Sequence, residues 1–338
     1  MAWRRTLLAL GVVGLFIGLR FASLEARVEQ SRTLKVQRPL MGTIWNVEVV
    51  DHGRPNEARK AVDEAYRELS RIDALMSEWK PESPISQVNA AAGKRAVEVP
   101  EELRTLLERA KRYGDESGGT FDVTWHGMAR IWHFDDAFVV PSRPAVDAAR
   151  RNVDYRLIAI DGNRVSLARE GMSIGLGGIA KGYAIDRARL VLARAGFGDW
   201  LVDGGGDLLV SGSREDGSAW RLGLQDPRGE RGEMLGMVRT SNRAVVTSGD
   251  YERFRIVNGV RYHHIIDPRT GYPASASISV TVIADSAERA VVLCKPIFIL
   301  GPEKGLAFAR AEGVDALLID PEGKRYLTAG FARVLEGN

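Results

Sequence analysis

The sequence predicts an α+β fold, a single domain in which helices flank a mostly antiparallel sheet. Three observations carry that reading. Amphipathic helical segments gather in the first half, where apolar residues recur at helical spacing. From Tyr155 onward the texture changes to short apolar runs punctuated by glycine, the pattern of strands joined by tight turns. No linker and no internal repeat interrupts the chain after its first residues.

The elements follow in order. "MAWRR" is basic, and "TLLALGVVGLFIGL" is an apolar run shorter than the ~20 residues of a spanning helix. Residues 1–26 read as a signal peptide, with a mediocre cleavage site at Leu24–Ala26, or as an N-terminal membrane anchor extended past Arg20. Either reading makes the protein exported: periplasmic, or anchored to the outer face of a bacterial inner membrane. "LKVQRPLMGTIWNVEVV" then reads strand, turn, strand. Val62, Ala65, Leu69, Ile72, Leu75 and Met76 mark a long amphipathic helix. "PEELRTLLERAKRYGDES" is a second helix, opened by Pro100, and a third opens at Pro144. After Tyr155, one helix, "GIAKGYAIDRARLVLARAG", precedes the strands "WLVDGGGDLLVSG", "AWRLGLQDP", "AVVTSGDYERF" and "SISVTVIA". "ERAVVLCKPIFILG" (288–301) reads as one buried apolar helix, and the C-terminal stretch as helix, strand, turn, strand.

Composition bounds the function. With 45% hydrophobic and 27% charged residues among 338, the chain is ordinary globular protein. Its net charge is only +3 and the two signs are interspersed, so nothing suggests a nucleic-acid partner. The lone Cys294 excludes an internal disulfide and a cysteine zinc cluster, and reads as a small buried hydrophobe.

Several motifs carry chemistry. "GLGGIAKGYAID" (175–186) is a glycine-rich turn entering a helix with Lys181, a geometry suited to an anion. "DGGGD" (203–207) is a sharp turn or a place where the backbone approaches a ligand. "TSGDYERF" and "YHHIIDPRTGYP" gather hydroxyls, carboxylates and two adjacent histidines around turns. In a strand His263 and His264 face opposite sides, so at most one enters a given site. "TFDVT" sets Asp122 beside Phe121, and "SEWKPESPISQVN" sets Trp79 just after the long helix.

Taken in order, "PLMGTIWNVEV", "SEWKPESPISQVN", "TFDVT", "GGIAKGYAID", "LVDGGGDL", "AVVTSGDYERF", "YHHIIDPRTGYP" and "ISVTVIA" resemble the ApbE-like FAD:protein FMN transferases. The resemblance assigns residues 36–336 to an FMN transferase domain of the ApbE, T-fold-like type. It implies that FAD is the substrate, that FMN passes to a threonine or serine hydroxyl of a partner flavoprotein, and that AMP leaves. The acceptor it implies belongs to a membrane respiratory complex. Met41, Trp79, Thr120, Phe121, Asp122, Lys181 and Ile266 would line the FAD site, with His264 as general base toward the acceptor hydroxyl. A non-catalytic FAD-binding protein and an FAD pyrophosphatase are the alternatives.

One departure stands out. The family implies Mg²⁺, held by an aspartate and, four residues later, a threonine on the late helix, with a backbone carbonyl at Gly178. Here those positions are Val291 and Lys295, neither of which supplies the oxygen that Mg²⁺ demands. Aspartate plus Mg²⁺ and valine plus lysine each sum to +1. An ammonium ~4 Å from Mg²⁺ would cost about 8 kcal/mol at an effective dielectric of ~20, so the two exclude one another. Lys295 therefore reads either as a substitute for the ion, contacting the pyrophosphate, or as a side chain snorkelling from a decayed site while Pro296 kinks its helix.

Overall fold

The structure, a computed structural model, describes residues 32–230 and 232–337; the leader assigned to 1–26 lies outside them. An eight-stranded sheet forms its centre, in the order Thr33–Leu40, Thr43–Val50, Trp200–Gly204, Leu208–Ser211, Ala244–Gly249, Ser279–Ala284, Asp315–Ile319 and Arg325–Leu327. Every neighbouring pair is antiparallel. Along each strand alternate side chains serve two different cores. Val202, Leu209, Val246, Val280 and Val282 face one core, with the helices Pro55–Met76, Ala180–Arg194 and Ala287–Ala311. Leu201, Val210, Val245, Ile283 and Leu317 face the other, with Trp220, Leu222, Val238 and Phe331. The second face is covered by a three-stranded sheet of Leu335–Glu336, Met234–Thr240 and Trp220–Gln225. "SVTVIA", buried along its whole length, is the central strand that two covered faces require.

Two smaller pieces complete the fold. A three-stranded sheet of Val97–Glu98, Arg164–Leu167 and Ile158–Asp161 adjoins the helix Glu101–Glu116. A hairpin of Phe254–Val257 and Val260–His263 stands apart from the central sheet and delivers the two histidines.

The late helix differs from the sequence reading. It spans Ala287–Ala311, and its break falls at Gly301, at φ 77°, just before Pro302. Pro296 lies inside the helical stretch and does not break it. The glycine takes a left-handed backbone that ends the first segment, and Pro302 then suits the first turn of the second.

That helix is clamped to the glycine-turn helix by two residues four apart. A Cβ at Gly182 would lie 2.4 Å from the Ala287 carbonyl oxygen, so glycine alone lets the backbones meet. One turn on, Asp186 accepts the N–H groups of Ala287 at 3.0 Å and Glu288 at 2.9 Å. The late helix is anchored again where Arg109 grips Glu288 with two hydrogen bonds of 2.8 and 2.9 Å.

Candidate functional site

The glycine turn is open where its helix begins. Ile179 occupies the cap position and supplies no side-chain acceptor, and no acid sits in the first turn. The N–H groups of Ile179 and Ala180 are taken by the Leu176 carbonyl, while those of Gly177 and Gly178 have no partner among the described residues. An uncapped helix start with free amides favours an anion. Gly175 is explained by its neighbour: a Cβ there would come within 2.8 Å of the His126 side chain. An acidic side chain at 175 has no room.

"DGGGD" is a turn, and it also delivers a charge. Gly205 and Gly206 both have positive φ, and the Asp203 carboxylate accepts the Gly206 N–H at 2.7 Å. The turn sets the buried Asp207 carboxylate 3.2 Å from the Lys181 ammonium. Thr43 packs against Gly205, so the tip of the first hairpin, Met41–Gly42, lies beside this corner. Met41 holds a left-handed φ of 47° and packs on the edge of the core.

Lys295 arrives from the late helix. It is half-buried, and its Nζ donates to the Val291 carbonyl at 2.9 Å. Burial pushes its ammonium down, the Asp207 carboxylate supports it and Lys181 opposes it. His264 lies within electrostatic reach of Lys295. Burial first, and then the neighbouring His263, Arg253 and Lys295, push its imidazole down to about 3. Its Nδ1 is buried with no hydrogen-bond partner among the described residues. His263 is structural: it is bonded to the Ala274 carbonyl at 2.7 Å and sits edge-on to Phe298. The strand ends at His263, and His264 follows it with no partner for its Nδ1 among the described residues.

The aromatic residues expected at the site are Trp79 and Phe121. Trp79 is 75% exposed and held edge-on by His126 at 5.6 Å. Phe121 lies under the glycine turn, 3.3 Å from a Cβ built at Gly178. Thr120 is buried and donates to the Ser117 carbonyl. Asp122 is a cap, accepting from the Thr124 N–H and hydroxyl and from the Tyr155 N–H. Burial raises its carboxyl despite those bonds. The Ile266 side chain packs with Met128, Trp132 and Val146 in a small separate cluster. A cleft of about 390 Å³ opens beside Asp122, Tyr155 and Arg269, and one of about 550 Å³ between Phe138 and Tyr262. The glycine turn and the two lysines line neither of these clefts.

The ApbE family model matches residues 41–318. The chain belongs to the ApbE family. It is 34% identical over 318 residues to the FAD:protein FMN transferase of Treponema pallidum (strain Nichols), covering 88% of each. The FAD:protein FMN transferase of Vibrio cholerae is 28% identical, over 93% of this chain and 95% of that one. Among solved structures, the ApbE protein of Thermotoga maritima MSB8 superposes with a TM-score of 0.83 at 31% identity, over 90% of this chain and 100% of that one. The flavin transferase ApbE of Vibrio cholerae gives 0.81 at 28%, with the same coverage.

The ApbE metal expectation fails on its donors. Val291 is fully buried among aliphatic side chains, and Lys295 brings an ammonium. Among the described residues, no three His, Cys, Asp or Glu side chains are placed to hold an ion. The Gly178 carbonyl is left as a single neutral donor, too little for Mg²⁺. Asp207, Asp186 and Glu78 were not among the expected site residues. Glu78, raised by burial, sits against Gly177, 4.0 Å from a Cβ built there.

Proposed function

We propose that this chain is an exported FAD:protein FMN transferase. FAD binds with its flavin against Trp79 and its diphosphate at the glycine turn. The acceptor's threonine or serine oxygen attacks the flavin-side phosphorus, a new P–O ester forms, and the bond to the bridging oxygen breaks. AMP carries that oxygen away, and the hydroxyl proton passes to His264. Such transfers are mostly positioning and charge neutralisation. No step is assigned to Mg²⁺.

One observation supports the reading: an uncapped glycine turn leads into Lys181, whose ammonium pairs with Asp207, while Lys295 lies within electrostatic reach of that pair and His264 within reach of Lys295. With its imidazole down at about 3, His264 is unprotonated at neutral pH and free to accept. The arriving diphosphate adds negative charge beside it, which raises its basicity when a base is needed. The acceptor we propose is a flavoprotein of a membrane respiratory complex, met at the periplasmic side. The leader read over 1–26 supports that location.

The test is incubation with FAD and candidate acceptors. Covalent flavin fluorescence on the denatured acceptor, with equimolar AMP, is the expected result, and His264→Ala should slow it about 10²–10⁴-fold. AMP without labelling of any acceptor would make the protein an FAD pyrophosphatase. FAD binding with neither product would make it a carrier. Fractionation of cells producing the tagged chain tests the location, and a cytoplasmic pool alone would remove it.

A further inference from the structure

Lys295 is the residue that the family pattern leaves without a purpose. An ammonium carries three donors. Among the described residues Lys295 spends one, on the Val291 carbonyl of its own helix. The charges that bear on it are the Asp207 carboxylate and the Lys181 ammonium, and His264 feels it in turn. Asp207 is already bound to Lys181 at 3.2 Å. Among the described residues Lys295 makes no ion pair of its own with Asp207, so its ammonium is left with the Val291 carbonyl as its one direct partner. A partly buried ammonium without a directly paired carboxylate is unfavourable unless an anion joins it. The Gly177 and Gly178 amides, without partners among the described residues, lie in the turn that leads into Lys181.

Val291 completes the argument. It lies one helical turn before Lys295, the spacing at which a carboxylate would pair with the ammonium and quench it. An aliphatic side chain there, fully buried, leaves the ammonium uncommitted. The two departures from the family pattern act together, one bringing the charge and the other keeping it free.

We propose that Lys295 takes the place of the divalent ion, its ammonium and that of Lys181 neutralising the FAD diphosphate directly, so that binding needs no metal. The proposal rests on the FAD site of the transferase reading. Lysine binds phosphate as a point charge and cannot clamp two oxygens as a divalent ion does. The contact should therefore weaken steeply with salt.

Titrations with FAD and with riboflavin, each in excess EDTA and in millimolar Mg²⁺, test it. Riboflavin lacks the diphosphate and reports the flavin contacts alone. Wild type should bind FAD equally well in both buffers. Lys295→Met should lose about ten- to a hundredfold for FAD and nothing for riboflavin. The pair Val291→Asp with Lys295→Thr should bind FAD weakly in EDTA and regain at least tenfold in Mg²⁺. Wild-type FAD binding that tightens tenfold with Mg²⁺ overturns the proposal, as does undiminished FAD binding by Lys295→Met. If Lys295→Met also loses riboflavin, Lys295→Arg decides: FAD binding kept in EDTA supports the charge role, and its loss overturns it. Wild type that binds neither ligand overturns the transferase reading itself, a result distinct from all of these.

Discussion

Two helix starts lie against each other in this protein and are finished in opposite ways. The late helix is capped from within. Ser286 accepts the Arg289 N–H at 3.2 Å, and Asp186 takes those of Ala287 and Glu288. The glycine-turn helix has Ile179 at its cap and nothing acidic in its first turn. A helix leaves four N–H groups without internal partners at its start. Where side chains supply acceptors, the end is scaffold; where only the Leu176 carbonyl turns back on Ala180, beside an ammonium, the end suits a ligand's charge. The capped start also fixes where Lys295 falls, two turns further along.

The comparison breaks most severely at Gly182→Val. Its Cβ would lie 2.4 Å from a backbone oxygen, which no rotamer relieves. Overpacking of this kind costs about 1–3 kcal/mol, and backbone contact puts it at the upper end. Urea unfolding should show the loss, and FAD affinity should fall as Lys181 and Lys295 move apart. Wild-type stability in this variant would mean that the helices have room to spare. Asp186→Ala comes next. It strips two N–H groups of their acceptor and should cost about 1–2 kcal/mol, with a smaller loss of FAD affinity. A variant as stable as wild type would show that the clamp is Gly182 alone. Ser286→Ala removes one cap bond and should cost about 1 kcal/mol, with Ser286→Thr restoring it. No recovery with threonine would mean that the hydroxyl is not the cause.

What could be read from the sequence follows from how local each signal is. Lys181 after its glycines, Phe121 and Trp79 sit in short stretches whose residue types state their chemistry. Asp207 does not: its meaning is the ion pair with Lys181 across the sheet corner, which no spacing announces. Asp186 looks like an ordinary helix acid until the close approach at Gly182 turns it toward another helix. The hairpin before the histidines has a local signal of its own. "VNGV" places Asn258 and Gly259 at φ 50° and 78°, the asparagine-glycine turn that joins two short strands. Proline usually marks a helix break, yet Pro296 lies within the helical stretch. Gly301 marks it here, since only the glycine adopts the backbone that a break requires.

The smallest expected effect separates the two histidines and has a definite sign. His264 is down at about 3 in the folded chain, against about 6.5 for an unperturbed imidazole. Between those values the unfolded chain holds a proton that the folded chain does not. Stability therefore falls as pH drops from about 6.5 toward 3. His263 is also lowered, by burial, and keeps its bond to the Ala274 carbonyl, so it contributes in the same direction. Replacing His264 with glutamine should flatten part of that slope in urea midpoints measured from pH 7 down to 5, leaving the His263 part. FAD should act oppositely: its diphosphate raises the His264 imidazole, so the bound state takes up a proton more readily than the free one. Affinity should then strengthen as pH falls through the bound-state value. An affinity that weakens over that range, with His264→Gln behaving identically, would place the imidazole away from the phosphates and return the uncapped helix start to Lys181 alone.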